Sequence, residues 1–444
     1  MNQLKSEIMK HFVLKNFLTV LFFVACSAGY AQMNYIGLKD ESNVRKAQSV
    51  IPTSVTYWSK SKIIDDYMYV STRKGIYRKN ITTTLNDTLW QLYAFPDVPI
   101  RNFVKKNDTI LGITGYEATD TLMVRSTDNG QTYTDFTSAP FFDITPINAL
   151  LQIDQHPQNP NEVVLVHRGY GISKSSDFGT TWTLMNSFLG GYQDWFVGYN
   201  PNDPQNIMYT GEEIFFQSYI QSTYNGGTSW QRVDSLQTHC THGIAFHPTD
   251  KNTMISYGEG RIAKSVNQGL SWTNTGSLPI YIYKVVYDPN NPSTVYATGS
   301  FQGVSNTIVI YRSTDAGDSW HLSYTEAMPV AQGGLDLHLY NNKLIVYTLV
   351  NGIYTLDIGL LDLNKEQLQE KLLIYPNPSS STVNIESEYL IKSFKLYDAA
   401  GKLVLNKVVN NMKTVISMEA FAEGIYYITL DTEKGMITRK IIKK

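Results

Sequence analysis

The chain has 444 residues, with 37 Lys and Arg against 39 Asp and Glu, two cysteines and a net charge of −2. Apolar residues at 42% and charged residues at 17% exclude a disordered chain, and the lack of a basic excess argues against a nucleic-acid partner. Thirty Tyr, 30 Gly and 16 Pro point to strands and turns in an all-β chain of two or three domains, or one repeat array with a small module.

At the start, Lys5, Lys10 and Lys15 precede an apolar run from Phe17 to Ala28, followed by Gly29-Tyr30-Ala31-Gln32. A basic segment, a short apolar segment and small residues describe a secretory signal peptide over residues 1–31, cleaved after Ala31. The run is about 12 residues, short of the roughly 20 a spanning helix needs, so no transmembrane segment is expected. Met9-Lys10 makes a more typical start than Met1, and a rival lipoprotein reading of Cys26 lacks the usual Leu where Phe23 stands. After cleavage one cysteine remains, Cys240, so no intrachain disulfide is expected. Its surroundings, Thr238-His239-Cys240-Thr241-His242, invite a metal reading, but His-x-x-His without further spaced ligands falls short of a closed zinc site. Neither a metal nor a cofactor is therefore expected. Residues 32–364 carry a net −7 and residues 365–444 a net +3, which disfavours anionic polymers as partners of the body while leaving room for a local basic pocket.

The middle of the chain repeats itself. The pattern Ser/Thr-x-Asp/Asn-x-Gly-x-Thr/Ser-aromatic recurs at 126–133, 175–182, 223–230, 265–272 and 313–320. Its third positions are Asp128, Asp177, Asn225, Asn267 and Asp315, separated by 49, 48, 42 and 48 residues. Its glycines are Gly130, Gly179, Gly227, Gly269 and Gly317, and Trp182, Trp230, Trp272 and Trp320 close four of the copies. Asp or Asn bonds its own downstream amides, Gly takes a positive φ, and the aromatic buries a large face, so these residues read as turn structure rather than chemistry. A second motif precedes four copies: His156-Pro157, Asn200-Pro201, His247-Pro248 and Asp288-Pro289, each set between two short β-rich runs. The unit is four strands in about 45 residues, which is a propeller blade. Gly75-Ile76-Tyr77-Arg78 with Trp90 is a decayed earlier copy whose box positions Leu85 and Asp87 have lost the pattern, and Gly352-Ile353-Tyr354-Thr355 echoes the same strand near the end. The count gives seven blades, with six or eight as alternatives, in a propeller spanning 32–362.

These motifs resemble the Asp-box (BNR repeat) β-propellers, the superfamily of sialidases, sortilin-type receptors and xyloglucanase-type glycoside hydrolases. The Pro-turn combined with the box is most similar to the sortilin and xyloglucanase branch. The resemblance implies boxes between the third and fourth strands, on the face opposite the functional loops. Those loops then include Tyr116-Glu117, His167-Arg168, Glu212-Glu213, Glu259–Arg261, Tyr192–Trp195, His239–His242 and Tyr281–Tyr283. A glycosidase needs two facing carboxylates, which Glu117, Glu212, Glu213 and Glu259 could supply. A sialidase needs an arginine triad; the Arg-Ile-Pro signature is missing, Pro99-Ile100-Arg101 has another order, and the spacing of Arg168, Arg232 and Arg261 supports none. The xyloglucanase type uses two propellers with a cleft between them, against one here. For binding, Arg168, Tyr170, Tyr192, Trp195, Arg261, Tyr281 and Tyr283 are side chains on which sugars or peptide segments stack or pair, with inter-blade packing as the bland alternative.

A polar segment, 363–371, reads as a linker. From 372 to 444, short runs at 382–385, 394–397, 403–409, 414–417, 425–430 and 436–442 alternate apolar and polar residues, as expected for a small Ig-like β-sandwich. Tyr375-Pro376-Asn377-Pro378, Leu396-Tyr397-Asp398-Ala399-Ala400-Gly401-Lys402, Gly424-Ile425-Tyr426-Tyr427 and the basic ending Arg439-Lys440 to Lys443-Lys444 resemble the type A C-terminal sorting domain of the type IX secretion system. That resemblance implies a Bacteroidota-type bacterium, Sec export, translocation across the outer membrane and removal of residues 372–444 by a sortase-like peptidase. The body is then released or attached to surface lipopolysaccharide. The whole reads as a secreted or cell-surface propeller that binds extracellular glycan or protein; the alternative is a secreted glycoside hydrolase.

Overall fold

The computed structural model describes residues 33–38, 60–114, 123–135, 150–167, 171–186, 191–213, 218–234, 236, 240–301, 304–328, 334–348, 352–359, 361, 372–398, 403–432 and 435–444. The chain forms two compact units, Met33–Leu356 and a second comprising Asp357–Lys444. The expected signal peptide, 1–31, and the expected linker, 363–371, lie outside the described residues.

The first unit is a seven-bladed β-propeller. Its first strand, β1 (Asn34–Gly37), belongs to the last blade. Blade 1 is β2 (Ser61–Ile64), β3 (Tyr67–Thr72), β4 (Gly75–Asn80) and β5 (Gln91–Ala94); blade 2 is β6 (Asn102–Lys106), β7 (Thr109–Ile113), β8 (Met123–Ser126) and β9 (Thr134–Asp135). Blade 3 is β10 (Leu150–Gln155), β11 (Val163–His167), β12 (Gly171–Ser175) and β13 (Thr183–Asn186). Blade 4 is β14 (Gly191–Tyr199), β15 (Ile207–Glu213), β16 (Ser218–Thr223) and β17 (Gln231–Asp234). Blades 5 and 6 share one six-stranded sheet of β18 (Thr241–Phe246), β19 (Met254–Ser265), β20 (Thr273–Tyr287), β21 (Val295–Phe301), β22 (Val304–Ser313) and β23 (His321–Ala327). There β19 and β20 each serve twice: residues 254–258 pair with β18, residues 261–264 pair with 273–277, and residues 280–287 pair with β21. Blade 7 is β24 (Asp336–Tyr340), β25 (Lys343–Thr348) and β26 (Gly352–Asp357), completed by β1 through Asn34↔Thr355 and Tyr35↔Tyr354. This closing strand lies at the very start of the 32–362 span and outside the repeats read from sequence, and the Trp90 indole of blade 1 donates to its Ile36 carbonyl at 2.7 Å.

Second strands are buried on both faces. Val163, Val164, Leu165 and Val166 are all fully buried, hence the unbroken apolar run where a half-exposed strand would alternate. Each apolar cluster is shared by neighbouring blades: Val104, Leu111 and Met123 of blade 2 pack on Ile153, Val163 and Leu165 of blade 3, and Val166 and Ile172 of blade 3 pack on Val197 and Tyr209 of blade 4. At roughly 1.5–3 kcal/mol per buried aliphatic side chain, these seams hold the ring together.

The ring holds two kinds of blade, each kind in one contiguous half. In blades 1, 2 and 7 the first two strands are joined by two-residue hairpins, Asp65-Asp66, Asn107-Asp108 and Asn341-Asn342, as the pairs Ile64↔Tyr67, Lys106↔Thr109 and Tyr340↔Lys343 require. Asp65, Asn107, Asn341 and Asn342 hold positive φ there, the conformation short polar side chains tolerate. In blades 3 to 6 the join is the seven-residue Pro-turn, 156–162, 200–206, 247–253 and 288–294. Its first residue accepts two jobs. The backbone amide closes the loop (His156 to Glu162 at 2.9 Å, Asn200 to Asn206 at 2.9 Å), and the side chain accepts from the amides two or three residues on. His156 Nδ1, Asn200 Oδ1, His247 Nδ1 and Asp288 Oδ1 all play this part, so three residue types are interchangeable as acceptors.

The five repeated turns join third and fourth strands. In blade 6, Ser313 Oγ donates to Asp315 Oδ1 at 2.7 Å and accepts from Gly317 N at 2.8 Å, Asp315 Oδ1 accepts from Ser319 N at 2.8 Å, and the Trp320 indole donates to Gly317 O at 3.1 Å. The same Ser/Thr-to-Gly bond recurs at Gly130, Gly179, Gly227 and Gly269. Gly317, at φ +91°, also seats against the preceding blade: a Cβ there would stand 2.6 Å from Ile255 Cδ1. Blade 1 replaces the box by a buried lysine, Lys79, whose Nζ bonds Asp87 Oδ1 at 2.7 Å and Thr84 O at 3.2 Å.

In the second unit, β27 (Leu372–Tyr375), β28 (Thr382–Asp398), β29 (Leu403–Ser417), β30 (Gly424–Thr432) and β31 (Gly435–Lys443) form one hydrogen-bonded system. The runs at 382–385 and 394–397 are one strand interrupted by register shifts between Glu386 and Ser393, and those at 403–409 and 414–417 are likewise one. The first half of β28 pairs with β27 and the second half with β30, so the sheet folds over a core of Val383, Ile385, Phe394, Leu396, Ile428 and Leu430.

Candidate functional site

First strands of neighbouring blades run side by side around the axis, while fourth strands such as β9 and β23 are largely exposed. The inner strands of blades 1, 2 and 7 pair without a break. Those of blades 3 to 6 each carry a register shift, between Leu150 and Gln152, Asp194 and Phe196, Thr241 and Gly243, and Ile282 and Lys284. A bulge leaves its extra residue unpaired and re-aims the side chain. Leu151, Trp195, His242 and Tyr283 occupy these positions, each six residues before the proline of its Pro-turn. Three of them are in ring contact across three consecutive blades: the Trp195 and His242 rings are 4.8 Å apart and tilted by 57°, and His242 stacks on Tyr283 at 5.1 Å and 18°.

Behind this arc, at the ends of the inner strands opposite the Pro-turns, the chain brings together acids and the cysteine. Cys240 Sγ donates to Glu212 Oε2 at 3.0 Å, and the ligand-capable atoms of Cys240, His242 and Glu259 all lie within 4.8 Å of one another. Gly258 makes the approach possible, since a Cβ there would stand 1.9 Å from the Cys240 carbonyl oxygen, which accepts from Glu259 N at 3.1 Å. Burial, with the carboxylates of Glu212 and Glu259 beside it, holds the Cys240 thiol far above the usual thiol range. Burial pushes His242 down to about 4, and its Nδ1–H donates to the Ile282 carbonyl at 2.7 Å, so the ring is neutral.

A second polar group crosses the closure of the ring. Asp336 of blade 7 accepts from Ser61 N and Oγ of blade 1 at 3.0 and 2.9 Å and faces Lys284 of blade 6 at 3.6 Å. His338 Nε2 meets the same Ser61 hydroxyl at 2.8 Å. Burial opposes ionisation of Asp336, but Lys284 and Lys60 outweigh it and hold its carboxyl below the usual range. Burial pushes Lys60 down to about 8 and pushes the Asp154 carboxyl up from its usual value. This group ties blades 6, 7 and 1 together.

The loop residues read from sequence fall into three sets. Glu212, Trp195, Tyr283 and Glu259 converge on the cluster around Cys240 and His242. Tyr281 sits in β20 opposite Glu259 in the register, and Arg261 Nη1 donates to Leu236 O at 3.0 Å. Glu213 and Tyr192 are placed in β15 and β14 by their backbones alone; Glu117, Arg168 and Tyr170 lie outside the described residues. The run around His242 lacks the ligand spacing of a closed zinc site, and the signal that singles His242 out is its spacing from Pro248.

Residues 373–444 match the family model of the secretion system C-terminal sorting domain, and this segment is a type IX sorting domain. The chain is thereby directed to the cell surface or the medium, and among the described residues no helix is long and apolar enough to cross a membrane. A comparison with curated proteins finds no match. Among solved structures, the GH74 xyloglucanase from Xanthomonas campestris is similar with a TM-score of 0.53 and 15% identity, covering 72% of this chain and 56% of that one. This chain thus spans little more than half of the enzyme, and the likeness is one of propeller fold. YCF48 from Cyanidioschyzon merolae aligns at a TM-score of 0.48 and 14% identity, over 70% of this chain and 97% of that one.

Proposed function

We propose that the exported propeller is an extracellular binding protein that takes glycan or a protein segment at the aromatic arc of blades 4 to 6. The observation that carries this reading is the row of ring contacts among Trp195, His242 and Tyr283, three rings from three successive blades at equivalent bulges. Half-buried aromatic faces are where sugar rings and peptide side chains stack. The test is binding of the secreted protein to arrays of glycans and extracellular proteins, with Trp195→Ala and Tyr283→Ala compared against the parent. Each should weaken the bound ligand at least about tenfold, as central aromatic anchors do. Ligand binding unchanged in both variants overturns the assignment.

A glycoside hydrolase is the second reading. Its support is that Glu212 and Glu259 both reach the Cys240 sulfur and so lie within about 8 Å of each other, inside the span such enzymes use. Against it, Glu212 is only 2% exposed and its Oε2 is occupied by the thiol. Undiminished glycan turnover in a Glu212→Gln, Glu259→Gln double variant would remove both from any catalytic role. In this reading of the whole chain, residues 1–31 direct Sec export in a Bacteroidota-type cell, 32–362 form the Asp-box propeller, 363–371 link it to the tail, and a sortase-like peptidase removes 372–444.

A further inference from the structure

We propose that Cys240, His242 and Glu259, with Glu212 beside them, form a site for one zinc ion. Ligand-capable atoms of the first three lie within 4.8 Å of one another, and Glu212 Oε2 is 3.0 Å from the sulfur. With Zn–S about 2.3 Å and Zn–N about 2.0 Å, atoms of a tetrahedral shell stand roughly 3.5 Å apart, so modest side-chain rotation closes the set. Thiolate, imidazole and carboxylate together are a donor set suited to zinc.

Two further observations point to a cation. Glu212 is 2% exposed, and its Oε1 has no hydrogen-bond partner although its other oxygen is turned onto the cluster. A buried, half-satisfied carboxylate next to a second carboxylate is costly unless positive charge lies between them. His242 has its Nδ1 proton fixed on the Ile282 carbonyl, which leaves the lone pair on Nε2 and is the outer hydrogen bond that metal-binding histidines use. The fold also builds the spot deliberately. Gly258 admits the Cys240 carbonyl, and the β18 bulge turns His242 out of the ladder. Binding displaces the Cys240 thiol proton to solvent as the sulfur becomes a thiolate ligand.

The full chain, stripped with a chelator and titrated with Zn²⁺ or Co²⁺ at neutral pH, provides the test. Expected are saturation at one equivalent per chain, a sulfur-to-cobalt charge-transfer band, release of a proton to an indicator dye, and a raised melting temperature. Cys240→Ser should abolish the band, and Cys240→Ser or His242→Ala should each weaken zinc by at least about 10–100-fold. His247→Ala, in a Pro-turn distant from the cluster, should leave uptake unchanged. A parent titration with no saturable band overturns the site without recourse to any variant, and so does uptake that survives both Cys240→Ser and His242→Ala.

Discussion

Blades 7, 1 and 2 differ from blades 3 to 6 in how the inner strand meets its neighbour, and that difference decides which residues are left out of the strand register. A two-residue hairpin such as Asn107-Asp108 passes an unbroken register into the strand, so side chains alternate strictly. On that side Lys60, Ser61, Asp336 and His338 form a polar tie across the ring closure. The seven-residue Pro-turn accompanies a bulge, and one extra residue per strand delivers Leu151, Trp195, His242 and Tyr283 to equivalent places. One half of the ring is specialised for closure, the other for a built site.

Glycine substitutions should separate the two halves most sharply. In Gly258→Ala the new methyl would stand 1.9 Å from the Cys240 backbone oxygen, so the backbone must move; a loss of about 3 kcal/mol is expected, seen as a fall of several degrees in thermal melting. Gly112→Ala in blade 2 meets side-chain atoms of Ile100, Val124 and Phe95 at 3.1, 3.2 and 3.6 Å, with no backbone among them, and should cost under about 1 kcal/mol. Equal losses at the two sites would erase the distinction.

Next in size is the outer turn. Ser313→Ala leaves the buried amide of Gly317 without its acceptor and should cost about 1–3 kcal/mol in urea unfolding. Lys79→Met removes the staple that stands in its place in blade 1 and should destabilise the protein to a similar degree, since two carbonyls and Asp87 lose one donor. A neutral Lys79→Met would mean that blade 1 needs no equivalent of the box.

The smallest effect is a pH limb. Hydrogen bonds from Thr132 and Ser126 hold Asp128 at about 2, and those from Ser319 and Ser313 hold Asp315 at about 2. Because the folded values lie below the unfolded ones, the stabilisation is complete above about pH 4 and is lost as pH falls toward 2. Acid melting of an Asp128→Asn, Asp315→Asn double variant should be shallower than the parent's between those values. An identical acid limb would assign it to other carboxylates.

Much of this was legible. The Ser-x-Asp-x-Gly spacing marks third-to-fourth strand turns because the turn chemistry is local, and the Tyr375–Pro378 and Gly424–Tyr427 motifs mark the sorting domain. The closing strand Asn34–Gly37 was not, since four residues carry too little pattern to stand out. Cys240 and Glu259 meet through the register of β18 on β19, and Gly258 admits that contact by lacking a side chain; neither fact has a local signature. The bulges did leave one, the fixed distance back from Pro157, Pro201, Pro248 and Pro289, but it gains meaning only once the strands are paired.

The pairing of Asn34 with Thr355 spans more than 300 residues of chain. Such a clasp is formed by the earliest and the latest parts of the propeller to be threaded through any pore, so the circle stays open until almost all of it has arrived. An exported chain of this design has a natural interval in which it is incomplete and still deformable, and trimming a handful of residues past Gln32 would prise apart what the remaining blades cannot fasten alone.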